Sequence, residues 1–311
     1  MAVSDSVKEC FKILASDPEG VITELPIAAS SVKDCCFRLP ALAESGVNTN
    51  RFKNDFSAPI WWFNEGFASA SMELEKLVGS TWTVQDTLTN DDYGTFYGYG
   101  FEVNDLGEKL MGYSLDWNLV LNAFDQGCYR IKVTATDIFA NDTNRYSFEY
   151  ELKTYTEFRA NRTVRFDAAN RGIYGNLEDD TKINDLGSIE WIDQVRLPKS
   201  KFGFAKSELT KEFNRYNDGT ETWIESKQLE KYIFEGWFWP EPIHKYLQFY
   251  IFNSDQLLVT DFNKNNANKF IEKPVSVIGP YEPIYPTNGT LYYRVNSEFQ
   301  QANSNHWKKR N

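Results

Sequence analysis

The stretch Asp116–Val133, DWNLVLNAFDQGCYRIKV, changes hydrophobic period at its centre. Trp117, Val120, Leu121 and Phe124 fall at i, i+3, i+4 and i+7, the spacing that lines one face of an α-helix. Tyr129, Ile131 and Val133 then alternate with Cys128, Arg130 and Lys132, as the residues of a half-buried strand do. The pattern predicts a helix over 116–126 and a strand directly after it. Asp116 is placed to cap the first turn, and Gly127 to end the helix in the left-handed conformation. The flanking segments read as strands, so the helix is expected to cover a sheet, with Trp117, Val120, Leu121 and Phe124 as its packing residues.

Working outward, Ala68, Ala70, Met72 and Leu74 alternate with Ser69, Ser71, Glu73 and Glu75, and the turn Val78-Gly79-Ser80 leads into TWTVQDTL, a β-hairpin. YGTFYGYGF, Tyr93–Phe101, reads as a bent edge strand, and Tyr146, Phe148, Tyr150 and Leu152 as one face of a closing strand. These elements make a first module over 56–153. In a second module, strands are expected at Thr163–Asp167 and Ile189–Leu197. Asn217-Asp218-Gly219 centres a further hairpin, since these residues tolerate positive φ. Pro242 opens a helix over 242–254 whose apolar face is Ile243, Tyr246, Leu247, Tyr250 and Ile251, and strands follow at Leu257–Phe262, Val275–Ile278 and Leu291–Val295. The second module spans 154–300.

The expected fold is therefore mainly β: two tandem β-sandwich or barrel-like modules, each with one covering α-helix, preceded by an N-terminal arm, 1–55, and followed by a C-terminal tail, 301–311. The order hairpin, strand, helix, strand, closing strand occurs in both modules. Element order recurs and sequence does not, so duplication and coincidence both stay open.

Composition sets the function classes. Hydrophobic residues are 41% and aromatics 16% of the 311 residues, enough apolar surface for two buried cores. The net charge of −11 argues against a protein that wraps nucleic acid, whose affinity rests on neutralising phosphates. No run of eighteen apolar residues is present, and the start, MAVSDSVKECFKIL, has neither a basic leader nor an apolar core, so a cytoplasmic site of synthesis and no membrane contact are expected. Cys10, Cys35, Cys36 and Cys128 lack CxxC spacing and read as thiols, with no metal and no cofactor implied.

Catalytic patterns are sought with little return. The two histidines, His244 at a helix start and His306 in the tail, are poorly placed for a nucleophilic triad, and no P-loop, GxGxxG or HExxH occurs. Acidic clusters at Asn90-Asp91-Asp92, at Glu178-Asp179-Asp180 and over Asp261–Asn268 raise a glycoside hydrolase with a carboxylate pair, although solvated loops explain them as well. Trp61-Trp62-Phe63 and Trp237-Phe238-Trp239 raise glycan binding, with Trp61, Trp62, Trp237 and Trp239 as stacking platforms or partner contacts. The plainer reading of both clusters is core and subunit interface, where aromatics dominate.

The segments DYGTFYGYGF, SLDWNLVLNAFDQGCYRIKV, GSIEWIDQVRLP, NDGTETWIES, LLVTDFN and YEPIY resemble a family of virion structural proteins from tailed phages of Bacteroidetes hosts, including crAss-like phages. The resemblance runs through roughly residues 60 to 300 as a series of diffuse segments, and 1–55 has no counterpart in it. It implies a homo-oligomeric ring of the tail or the head-to-tail neck, assembled in the host cytoplasm beside other tail or neck proteins, with DNA passing through the lumen. It implies no catalytic residue. An acidic ring would repel DNA and let it pass without sequence recognition.

Overall fold

In a computed structural model the chain is mainly β, with multiple sheets and two helices among the described residues. The structure describes residues 38–44, 55–63, 67–89, 92–97, 110–137, 139–158, 162–170, 191–216, 221–237, 239–254, 256–263, 270–279, 281–284, 292–302 and 305–308. Two compact units form: Met1–Arg159 with Asn170–Arg196, and Ala160–Ala169 with Leu197–Asn311. In place of the expected single boundary at 153/154, the units meet along the chain at 159/160, 169/170 and 196/197.

The first unit holds β1 (Leu39–Ala43), β2 (Ile60–Phe63), β3 (Phe67–Val78), β4 (Thr81–Thr87), β5 (Gly94–Tyr97), β6 (Leu110–Leu115), α1 (Trp117–Phe124), β7 (Gly127–Asp137), β8 (Asp142–Tyr146) and β9 (Tyr150–Thr154). Its main sheet runs β1-β9-β7-β3-β4 with β8 on β7, and β2-β6-β5 forms a smaller sheet with the Gly94–Tyr97 strand at its edge. The β3–β4 hairpin turns where expected, on Gly79 at φ +64.

α1 follows the helical spacing of its sequence. Trp117, Val120 and Leu121 are buried and Phe124 is half-buried against Tyr93, ring centroids 5.1 Å apart. Trp117 packs on Tyr150 at 4.8 Å and Tyr129 at 6.3 Å, which seats the helix on the main sheet. Asp116 caps the first turn by accepting from Asn118 N–H at 2.8 Å. The expected left-handed Gly127 is corrected: Asp125 takes φ +63 and ends the helix, while Gly127 is a strand residue. The free carbonyl of Phe124 accepts instead from Lys76 Nζ and Tyr129 OH. Gly127 serves that contact, since a Cβ there would lie 2.6 Å from Lys76 Cε.

The closing strand is broken in two. Lys132 pairs with Tyr146 and Tyr129 with Tyr150, so one extra residue separates the ladders of β8 and β9 along β7. Ser147 fills the gap, its Oγ accepting from Ile131 N–H at 2.9 Å and its N–H donating to Ile131 O at 2.9 Å. The slip reverses the faces: Tyr146 is exposed and Tyr150 buried, although their spacing places them on one side.

β1 corrects the arm. LPALA is buried at every position and pairs parallel with β9, so this part of 1–55 is an edge strand of the first unit. Leu39 N–H donates to Glu149 O, so the N–H of Leu42 faces the open edge together with Pro40, which has none. Asp55 Oδ2 accepts the Leu42 N–H at 2.8 Å. The same carboxylate takes Arg196 in a buried two-pronged pair, 2.6 Å to Nε and 2.8 Å to Nη2, and the Asp55 carbonyl accepts from Trp117 N–H at 3.1 Å.

The second unit holds β10 (Arg162–Asn170), the end of β11 (Trp191–Pro198), β12 (Lys201–Arg215), β13 (Glu221–Glu235), β14 (Trp239–Pro240), α2 (Glu241–Tyr246), β15 (Gln256–Asn263), β16 (Lys273–Ile278), β17 (Pro283–Ile284), β18 (Tyr292–Gln301) and β19 (Asn305–Lys308). The sheet order is β11-β10-β15-β16-β18-β13-β12, with β14 and β17 on β18 and β19 on β13. β19 corrects the expected tail: its four residues pair with Gln228 to Glu225. The helix expected over 242–254 is an α-turn that widens into a π-turn at Leu247–Ile251, where Phe252 N–H reaches Leu247 O. Ile243, Leu247 and Ile251 are buried, and Phe252 packs on an aromatic core of Phe166, Phe234 and Phe299.

The sheet orders decide against a duplicated layout. In the first unit the strand after the helix, β7, pairs directly with the hairpin. In the second, β15 is separated from the hairpin by β16 and β18.

Asp55→Ala or Arg196→Ala is expected to lower stability by about 3–5 kcal/mol by leaving a buried charge alone, measured by urea unfolding. Lys76→Met and Gly127→Ala are each expected to cost about 0.5–1 kcal/mol through the same lost cap at Phe124 O. Their double variant should then cost little more than either, and full additivity in a thermodynamic cycle would break the link.

Candidate interaction surface

The β12–β13 hairpin carries the largest departure from ordinary burial. Phe202 is buried, stacked on Tyr232 at 5.3 Å, but no described side chain of β12 beyond it, from Phe204 to Arg215, is buried. Phe204, Leu209 and Phe213 are 58%, 57% and 50% exposed, and Tyr216 follows them into solvent. A register shift between Phe204 and Lys206 inserts Ala205 as an extra residue. Without it, Lys206, Glu208 and Glu212 would continue the face of Phe202 and Phe204. With it, Leu209 and Phe213 take that face, opposite Gln228 and Trp223 in the ladder.

The opposite face is ionic. Glu208 accepts from Lys206 at 2.9 Å and Lys231 at 2.8 Å, and hydrogen bonds from Lys231 and then Lys206 draw its carboxyl below the ordinary range. Such exposed pairs contribute little stability, so they serve chiefly to keep that face soluble. The side that continues the core face into solvent carries Leu209 and Phe213, with Ser207 and Lys211 between and beside them. Among the described residues β12 has a neighbouring strand on one side only, so its outer ladder of N–H and C=O groups is open over fifteen residues. β4, at the edge of the first unit's main sheet, is another open edge; Val84 on it and Val78 at the end of β3 are exposed.

The four expected tryptophan contacts divide. Trp61 and Trp62 are residues of β2, and their side chains lie outside the described residues. Trp237 is 48% exposed, with Lys199 Nζ 5.7 Å from its ring centroid. Trp239 is corrected as a surface contact: it is fully buried and stacked on Phe234 at 5.9 Å. Spacing puts Trp237 and Trp239 on one face, but the strand stops at Glu235 and restarts at Trp239, which breaks the alternation.

The buried carboxylates are engaged: Asp55 holds Arg196, Glu75 holds Arg130 at 2.7 Å, and Asp193 is partnered as well, while the half-buried Asp167 holds Arg165 at 3.1 Å. Of the acidic clusters, Asp92 accepts from Thr89 and Asp261 accepts from Phe270 N–H, while 90, 91, 178–180 and 264–268 lie outside the described residues. No metal-ligating group of three or more His, Cys, Asp or Glu forms among the described residues. His244 is buried, with Nδ1 2.6 Å from the Tyr281 hydroxyl, whose ionisation burial pushes up. Cys128 is half-buried and burial raises its thiol, which keeps it a poor nucleophile. No helix among the described residues is long and apolar enough to cross a membrane. No family model, curated protein or solved structure matches the chain.

The combined variant Phe204→Ser, Leu209→Ser, Phe213→Ser is expected to leave the thermal midpoint close to wild type, since exposed positions typically change stability by less than about 0.5 kcal/mol each. Phe234→Ala, in the core, should cost about 3–5 kcal/mol in the same calorimetric comparison.

Proposed function

We propose that this chain is a non-enzymatic virion structural protein that assembles with its own copies into a ring of the phage tail or head-to-tail neck, with DNA passing through the lumen. The observation that carries the reading is the apolar face of β12, Phe204, Leu209 and Phe213, standing in solvent on an open strand edge. An isolated monomer gains nothing from such an edge and risks aggregation, whereas an assembling one buries it. A ring closes from one heterologous contact or from two different two-fold contacts in alternation. Among the described residues the sheet edges include β4 in one unit and β12 in the other. Neighbouring tail or neck proteins would meet the faces that copies leave free, and the acidic balance of −11 suits a channel that DNA must traverse without adhering.

Trp237 favours a second reading, glycan binding, because its half-exposed ring is of the kind that stacks on a sugar. Lys199 already lies over that ring, so a sugar would have to displace the ammonium.

Sedimentation of the full chain over rising concentration should show a closed oligomer of defined size. A monomer at every concentration up to about 100 μM would overturn the assembly reading, given that specific contacts at this scale hold in the micromolar range or tighter.

A further inference from the structure

We infer that β12 is a self-complementary seam, at which the outer edges of two copies pair antiparallel about a two-fold axis through Leu209 and join their sheets. The inference rests on the assembly reading above and names one of its contacts. Antiparallel pairing of a strand with itself requires opposite residues whose numbers share a fixed sum, and like faces must meet. Centring on Leu209 puts Leu209 against Leu209 of the second copy, and Phe213 of each copy at the Phe204 end of the other. On the ionic face it puts Lys206 opposite Glu212, twice by symmetry.

Of the nearest registers, the one centred on Ser207 sets Phe213 against Lys201, which lies beyond the bulge and off the face of Phe213, and three others fail on charge. Centring on Glu208 sets that residue against itself, centring on Thr210 sets Glu208 against Glu212, and centring on Lys211 sets two lysines together, each a like-charge opposition. Glu212 makes no ion pair among the described residues, and it stands opposite Glu225 within its own hairpin, so a cation from the second copy meets an unengaged carboxylate. The extra residue Ala205 is what brings Leu209 and Phe213 onto one face, so the bulge that opens the apolar stripe also sets this register. The edges of β13 are covered by β12 on one side and by β18 and β19 on the other, which leaves β12 as the hairpin's open ladder.

The test uses the full chain and two single charge reversals, K206E and E212K, both at exposed sites away from the core. Each alone sets two like-charge pairs across the seam and is expected to weaken self-association about tenfold in sedimentation. An equimolar mixture of the two should recover association, because each copy then meets the opposite charge at both positions. Variants that associate as the wild type does, or a mixture no stronger than either alone, would overturn the seam while leaving the assembly reading standing on the wild-type oligomer. A wild-type chain that never associates would overturn both.

Discussion

The first unit is organised around one buried carboxylate. Asp55 satisfies the outward N–H of β1, receives the Trp117 N–H at the start of α1 through its carbonyl, and grips Arg196 with both oxygens. Three pieces of chain far apart in sequence are thereby fixed at one residue. Burying such a pair gains little over apolar packing, but once both charges are buried neither can be spared, since a lone one pays its full desolvation cost. Arg196 on Asp55, with the nearby Gln194 side chain accepting from Phe56 N–H, ties this end of β11 to the unit.

The second unit is held by aromatic packing. Phe166, Phe234, Phe252 and Phe299 meet mostly edge to face at 5.0–6.5 Å, with Trp239 stacked on Phe234. Such contacts add to the burial of large rings without polar groups to satisfy. This core ends at Phe202 on the hairpin, while the apolar face does not. The same alternation that builds the core thus runs on into solvent, and the open edge of β12 follows from it.

Period alone makes much of this legible. α1, the β3–β4 hairpin and the strands after α2 stand out by their period, and the β12–β13 hairpin by the Asn217-Asp218-Gly219 signal between its strands. What escapes the period is local. LPALA is apolar throughout, so nothing alternates to mark β1 as a strand. The extra residues near Ser147 and at Ala205 reverse faces without any compositional sign. Asp125 makes the turn that Gly127 was expected to make, and the glycine at 127 instead leaves room for Lys76. Of the site, Trp237 was legible as exposed and Trp117, Val120 and Leu121 as core. Trp239 was not, since its burial depends on where β13 stops, and the β12 stripe was not, since it depends on a bulge.

Assembly of copies through β12, as proposed, covers the outer edge of that strand. Amide hydrogen exchange over Lys201–Arg215, followed by mass spectrometry in dilute and in assembled samples, reads that edge directly. The outward N–H groups of an open edge exchange fast, and pairing with a second strand protects them. Slowing of exchange across this segment on assembly is the predicted result. Equally fast exchange in the assembled and the dilute protein would contradict it.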